Sequence, residues 1–114
     1  MASSGDSYEP FILPRAQADI ESIVQFLGDR SPQGLIAWRE RWEETFNELR
    51  ARPFTMALAP ESATYDCEVR QLLFKTRRGR KYRALFTVVG HGVFILTVRG
   101  PGQNLLKRGL FRQR

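Results

Sequence analysis

Two arginines near the end of this 114-residue chain, Arg83 and Arg99, have the type and spacing that best suit chemistry. If Gly90-His91-Gly92 is a three-residue loop between two strands, Val89 faces Val93. In that register Arg83 lies directly opposite Arg99, where two like charges repel. Two guanidinium groups so placed hold one phosphate or carboxylate from both sides. The spacing therefore predicts an anion-binding or catalytic pair on the outer, accessible face of the last hairpin.

Other basic residues and one tyrosine surround this pair in the sequence. They are Arg70, Lys75, Arg77, Arg78, Arg80, Lys81 and Tyr82. Basic side chains with an aromatic neighbour suit a nucleic-acid backbone or an acidic protein surface. A solvated basic hairpin tip is the plainer alternative. The cluster nevertheless predicts target or anion binding.

Charge is segregated along the chain, whose net charge is +6. All 12 acidic residues and six arginines lie within residues 1–68, whereas residues 69–114 carry the other 12 basic residues and no acid. A half-chain without acids cannot neutralise itself through local ion pairs. We therefore expect the second half to be solvated, or to face a polyanion or an acidic protein.

Few residues suit metal-dependent or nucleophilic catalysis. The chain has one histidine and one cysteine, too few for the usual metal sites, so we predict no metal and no cofactor. Cys67 and His91 would have to form the nucleophilic pair, but His91 lies between two glycines with no evident orienting partner. A lone cysteine fits a reducing, cytoplasmic compartment. No secretory leader is visible, and no apolar run approaches the roughly 20 residues of a membrane span.

The positions of proline and serine and the spacing of apolar residues predict the helices and strands that position these residues. Residues 8–14 predict an edge strand bounded by prolines. A helical period then runs to a stop at residues 28–30. Ser31-Pro32 supplies the cap and first residue of a second helix, which Pro53 ends. Because few residues separate the helices, we expect an antiparallel hairpin, followed by a loop over residues 54–65.

Three strand-like runs with glycine-bearing turns between them complete the pattern. They cover residues 68–74, 82–89 and 93–98. The order strand, helix, helix, three-stranded antiparallel meander predicts an α+β fold with the helices packed on one face of one sheet. The length allows one domain, placed at residues 8–100. We predict a disordered tail at residues 1–7 and a basic C-terminal tail at residues 101–114, where apolar spacing favours a short helix.

Five short motifs follow one another between residues 9 and 100. They are Ala18–Leu27 (ADIESIVQFL) with Ser31-Pro32 after it, Leu49–Pro53 (LRARP), Val69–Leu72 (VRQL), Lys81–Val88 (KYRALFTV) and Val93–Arg99 (VFILTVR). In this order and spacing they resemble the two helices and the three meander strands of the RelE/ParE superfamily. Its members are the toxins of type II toxin–antitoxin modules, also called plasmid stabilisation proteins.

The resemblance implies a helical hairpin on a mainly antiparallel sheet, and a cytoplasmic protein that inhibits growth. A cognate antitoxin would neutralise it by wrapping an acidic, amphipathic segment around the basic face. The RelE branch cuts mRNA in the ribosome without a metal, by helping a 2′-hydroxyl attack the adjacent phosphate, whereas the ParE branch poisons DNA gyrase.

Carried over by position, Arg83 and Arg99 match arginines of the RelE nuclease site, where they would stabilise the charge of the phosphorane. Arg70 lies near a further basic position of that site. Residues 100–114 contain no tyrosine, although RelE-type nucleases usually have one there, and Gly100-Pro101-Gly102 replaces the R-H-x-R-R ending of many ParE-like members. The ribosome and DNA gyrase therefore both stay open as targets. A non-toxic nucleic-acid-binding module and a degenerate relative kept for a partner are the remaining alternatives.

Overall fold

The computed structural model describes residues 7–76 and 79–100. It is an α+β structure, as predicted. Its elements are β1 (Glu9–Ile12), α1 (Pro14–Arg30), α2 (Pro32–Ala51), β2 (Arg70–Lys75), β3 (Lys81–Val89) and β4 (Gly92–Arg99). The predictions for Arg77, Arg78 and residues 101–114, and nearly all of the predicted N-terminal tail, lie outside the described residues. Within the described ranges, no helix is long and apolar enough to cross a membrane.

The two helices begin and end where local chemistry dictates. Ser31 alone separates them, and its hydroxyl accepts the Gly34 N–H at 3.0 Å. Pro32 occupies the first position of α2, where no N–H is needed. The helix ends before Pro53, which confirms the predicted bounds. These short-range signals suffice because each one acts on neighbouring backbone.

The four strands form one mixed sheet in the order β1-β4-β3-β2. β1 is an edge strand, as predicted, and it runs parallel to β4, whereas the β2–β3 and β3–β4 pairs are antiparallel. Both helices pack on one side, which we call the helix face. Trp38 of α2 is 2% exposed there, with ring centroids 6.0 Å from Phe74 and 5.8 Å from Tyr82.

The β3–β4 hairpin reaches its register by a different route from the one predicted. Its turn has two residues, with Val89 opposite Gly92. Gly90 has a φ of +60°, which glycine adopts without strain. The register shifts between Leu85 and Phe86, and an unpaired Leu96 in β4 forms a β-bulge. The predicted Val89–Val93 pair is therefore wrong, but the bulge restores Arg83 opposite Arg99, which is confirmed.

The bulge also changes which side chains of β4 face the helices. Val93 and Ile95 pack in the helix-side core, whereas strict alternation back from Arg99 in the predicted register would place them on the same side as that arginine. Leu96 packs on the opposite side of the sheet, and Phe94 stacks on Phe11 with ring centroids 5.1 Å apart. A shift of one residue reverses the side of every following side chain, which explains the error.

A covering layer occupies the other side of the sheet, which we call the outer face. The loop predicted over residues 54–65 contains a short 3₁₀ helix, Pro60–Thr64, and another, Pro53–Thr55, overlaps its start. Residues 56–69, which we call the cover segment, pair with the β2 edge through Leu58 and Arg70. Ala59 and Val69 then bury Leu85 in a second apolar cluster. The outer face is therefore not the open surface that the sequence predicted.

Candidate functional site

The candidate site is built around the opposed pair, Arg83 on β3 and Arg99 on β4. Both lie near the end of the sheet where β3 begins and β4 ends. The antiparallel ladder brings their backbones together, so the predicted juxtaposition of two cations is present. The surroundings of each cation decide whether the pair has capacity left for an external anion.

The cover segment neutralises Arg83. The two carboxylate oxygens of Glu61 accept from the guanidinium at 2.8 and 3.2 Å, and the Gln71 amide oxygen accepts at 2.9 Å. The side chain of Glu61 is 1% exposed and that of Arg83 is 19% exposed. Such a two-point, charge-assisted contact is the strong form of an arginine–carboxylate pair. The expectation of an accessible Arg83 is therefore wrong, because an internal carboxylate occupies the place expected for an external anion.

Local backbone contacts fix Glu61 in this position. Pro60 begins the 3₁₀ helix, and the Ala59 N–H donates to the Val69 carbonyl at 2.7 Å. The Ser62 hydroxyl accepts the Val69 N–H at 3.0 Å. These bonds tie Ala59 and Ser62, on either side of Glu61, to Val69. The carboxylate is therefore held over β3 by its neighbours in the chain.

Arg99 lies in a mixed field of charges. Burial lowers the pKa of its guanidinium, and the nearby charge of Arg15 lowers that pKa further. The Asp19 carboxylate acts in the opposite direction. The pair of arginines is thus part of a cluster in which cations from β3, β4 and α1 alternate with carboxylates from α1 and the cover segment.

Asp19 also closes the free edge of β4. It accepts the Val98 N–H at 3.1 Å and the hydroxyl of Thr97, and it pairs with Arg15 at 3.4 Å. β1 pairs with β4 only as far as Ile95, so this carboxylate takes the place of a strand carbonyl beyond that point. Because α1 begins at Pro14, Asp19 lies in its second turn, and its side chain contacts the sheet rather than the start of the helix.

Arg70, the third predicted site arginine, is also engaged. Its guanidinium donates to the Met56 carbonyl at 2.7 Å and to Glu68 at 3.0 Å. Its carbon centre lies 5.3 Å from the centroid of the Phe54 ring. Arg70 therefore fastens the cover segment to β2, a role that explains its half-buried position without any external ligand.

The remaining predicted binding residues divide into exposed and buried ones. Lys75, Arg80 and Lys81 are exposed, and no ion pair joins them to a carboxylate in the described ranges. We call these three the basic end; Lys75 and Lys81 lie directly opposite each other. Tyr82 is only 8% exposed and packs in the helix-side core. Burial raises the pKa of its phenol, against the smaller opposing effect of Arg80. The ring of Tyr82 is thus unavailable for stacking on a partner.

Alternative chemistry finds little support among the described residues. They contain no group of three or more histidine, cysteine or acidic side chains able to hold a metal ion. Cys67 is exposed and free, and the His91 ring lies beside Tyr8 with centroids 5.6 Å apart. The arrangement pairs Arg70 and Arg83 with carboxylates of the same chain. It leaves the basic end open to an acidic surface.

The sequence interpretation missed Glu61 and Gln71 as partners of Arg83. One signal was present, since Glu61 is the only charged residue between Phe54 and Tyr65. A second was the composition of the strands, because the middle of β3 (Ala84 to Phe86) and of β4 (Val93 to Leu96) is apolar at consecutive positions, as in strands covered on both faces. Together these features indicate a covering segment that carries one carboxylate.

Comparisons of the chain with protein-family models, curated proteins and solved structures return no match. The likeness to the RelE/ParE superfamily therefore rests on the order of the five motifs alone.

Proposed function

We propose that this chain is the toxin of a type II toxin–antitoxin module, that it acts in the cytoplasm, and that it inhibits growth by binding DNA gyrase rather than by cutting mRNA. The order of the five motifs supports the toxin assignment, and the α+β architecture is the one that this likeness implies. The observation that favours a protein target over a nuclease is the Glu61–Arg83 contact, which engages the arginine that a nuclease would need.

A nuclease of this kind needs Arg83 to bind the reacting phosphate. To do so, the phosphate would have to displace two charge-assisted hydrogen bonds from Glu61, each worth about 1.5–3 kcal/mol. Displacement would also leave the Glu61 carboxylate, 3% exposed, next to a new negative charge. Both costs oppose phosphate binding at the pair.

The basic end supplies a surface for acidic protein partners. Lys75, Arg80 and Lys81 are exposed without carboxylate partners in the described ranges. Such a group steers association with an acidic protein and contributes more to the association rate and specificity than to raw affinity. An acidic antitoxin segment and the target itself are the two partners that this surface fits.

Induced expression in a bacterial host tests the proposal, using three forms of the protein. The double variant Arg83→Met with Glu61→Leu removes the internal pair and keeps the volume apolar, a change that proteins often tolerate. The triple variant Lys75→Gln, Arg80→Gln and Lys81→Gln removes the basic end. We expect the wild type and the double variant to arrest growth with a DNA-damage response and intact transcripts, and the triple variant to relieve the arrest.

Two outcomes would overturn the proposal. Cleaved transcripts in arrested cells, with relief by the double variant, would assign ribosome-dependent mRNA cleavage instead. Continued growth despite soluble wild-type protein, together with salt-sensitive binding to nucleic acid, would assign a non-toxic binding module.

A further inference from the structure

A second, unrelated concavity lies where the α1–α2 corner meets the β2–β3 turn. It is a cavity of about 690 Å³, and Phe26, Trp38 and Tyr82 form its aromatic walls. Arg30 and Arg80 also line it. Its volume is that of an ordinary small-molecule site. Neither Arg83 nor Arg99 lines this cavity, so it is separate from the candidate site described above.

The charged side chains of the cavity all have one sign. No aspartate or glutamate is among its lining residues. The groove between α1 and α2, about 750 Å³ in volume, provides a contrast because three carboxylates and one arginine line it: Glu21, Glu40, Glu43 and Arg39. The two concavities therefore differ in the charge of the ligand that they favour, and only the first favours an anion.

Neither arginine of the cavity is neutralised within the described part of the chain. Arg30 and Arg80 form no ion pair with a described carboxylate, in contrast to Arg83. The carbon centre of the Arg30 guanidinium lies 4.3 Å from the centroid of the Phe26 ring. This cation–π contact orients the guanidinium and uses none of its N–H groups as hydrogen-bond donors.

A further feature of the wall favours an anionic ligand. Ser31, Gln33 and Gly34, at the start of the 20-residue helix α2, contribute to the lining, and a helix N-terminus carries partial positive charge. The accessible aromatic surface of the cavity is the ring of Phe26, which is 52% exposed.

We propose that this cavity binds a small phosphate monoester carrying a planar ring. The phosphate is placed by Arg30, Arg80 and the start of α2, and the ring packs against Phe26. A doubly charged phosphate matches two guanidinium groups, and the ring matches the apolar part of the wall. Free nucleotides and the 5′-phosphorylated ends of nucleic-acid strands share this chemistry.

Calorimetric titration of the full chain tests the proposal with phenyl phosphate, inorganic phosphate and phenol as probes. We expect phenyl phosphate to bind at least tenfold more tightly than either of the others. Arg30→Gln and Arg80→Gln should each weaken its binding about tenfold, because each removes a charge-assisted contact. Arg50→Gln is the matched control: it removes the same charge at the other end of α2, roughly 30 Å away, and should change binding less than twofold.

Three results would overturn the proposal. These are no saturable binding of phenyl phosphate, equal binding of phenol, or an Arg50→Gln loss as large as the Arg30→Gln loss, which would indicate only diffuse charge attraction. Circular dichroism of each variant checks that it is folded.

Adenosine 5′-monophosphate and a 5′-phosphorylated oligonucleotide, titrated in parallel, distinguish the two sources of the ligand. Tighter binding of the oligonucleotide assigns strand ends, and equal or weaker binding assigns free nucleotides. None of these titrations depends on toxicity, so the failure of this proposal and the failure of the proposed function can be distinguished.

Discussion

Two groups of basic side chains lie on the same sheet, and they have opposite surroundings. Arg83 on β3 is paired with a buried carboxylate. Lys81, two residues earlier on the same strand, is exposed and has no described carboxylate partner. Arg70 and Lys75 repeat the contrast on β2. Within each strand, then, the cation farther from the β2–β3 turn is tied into the protein and the one at the turn is left for solvent or a partner.

This difference shows how the segregated charge of the chain is resolved. The carboxylates of Glu61, Glu68 and Asp19, all from the acidic half, reach into the basic half and contact β2, β3 or β4. The expectation that an acid-free half must be solvated or face another molecule was incomplete, since the other half of the same chain provides the counter-charges. What remains for outside partners is the smaller set at the turn.

The largest expected effect tests whether the internal pair is structural. Arg83→Ala leaves the Glu61 carboxylate buried without its main partner, so the free energy of unfolding should fall by about 3 kcal/mol. Lys81→Ala on the same strand should change it by less than about 0.5 kcal/mol. Urea unfolding of both variants measures the comparison. Equal losses of unfolding free energy for the two substitutions would contradict the distinction between the paired arginine and the exposed lysine.

The second test concerns the carboxylate that closes the β4 edge. Asp19→Ala removes the acceptor of the buried Val98 N–H and of the Thr97 hydroxyl, which should cost about 2 kcal/mol. Glu21→Ala is a matched control on α1, because Glu21 makes only an exposed hydrogen bond with Gln17 at 3.1 Å, and it should cost under about 0.5 kcal/mol. Unfolding by urea measures both. A small Asp19→Ala effect would contradict the assigned role.

The third test uses pH at the buried residue beneath the basic end. Burial raises the pKa of Tyr82 above its usual value of 10.0, so the folded state keeps this proton to higher pH than the unfolded state does. The unfolded state then binds fewer protons above pH 10, and stability falls as pH rises through the folded pKa. Thermal unfolding from pH 9 to 11 should show a smaller decline for Tyr82→Phe. An identical decline in both proteins would refute the argument.

The smallest expected effect concerns Lys75 and Lys81, which face each other across β2 and β3. Like charges directly opposite are unfavourable, so Lys75→Glu should stabilise the fold by about 0.5 kcal/mol. The gain should shrink at high salt, because the pair is exposed. Thermal unfolding at low and high ionic strength measures it. A loss of stability at low salt would show that Lys75 makes a stabilising contact in the wild type, which contradicts the expected repulsion from Lys81.

The helices and the three-stranded meander were predictable from the sequence, because each depends on residues close together in the chain. The parallel pairing of β1 with β4 was not predicted, because it joins distant parts of the chain. Ser31 and Pro32 start α2 and Pro53 follows its end, and these signals act on adjacent backbone. The Arg83–Arg99 pairing was also correct. The predicted turn length was wrong, however, and the pairing is correct only because a bulge at Leu96 offsets that error. The bulge could not be predicted, since the residue pattern gives no clear sign of it.

The sequence alone determined the helices and the strands. The tertiary structure decided the register of β3 and β4, which includes the bulge at Leu96. It also decided which arginines are accessible. That decision depends on Glu61, which is 22 residues from Arg83, and on Asp19, which is 79 residues from Val98. Electrostatic interactions depend on distance in space and on burial, and a residue pattern specifies neither until the chain has folded.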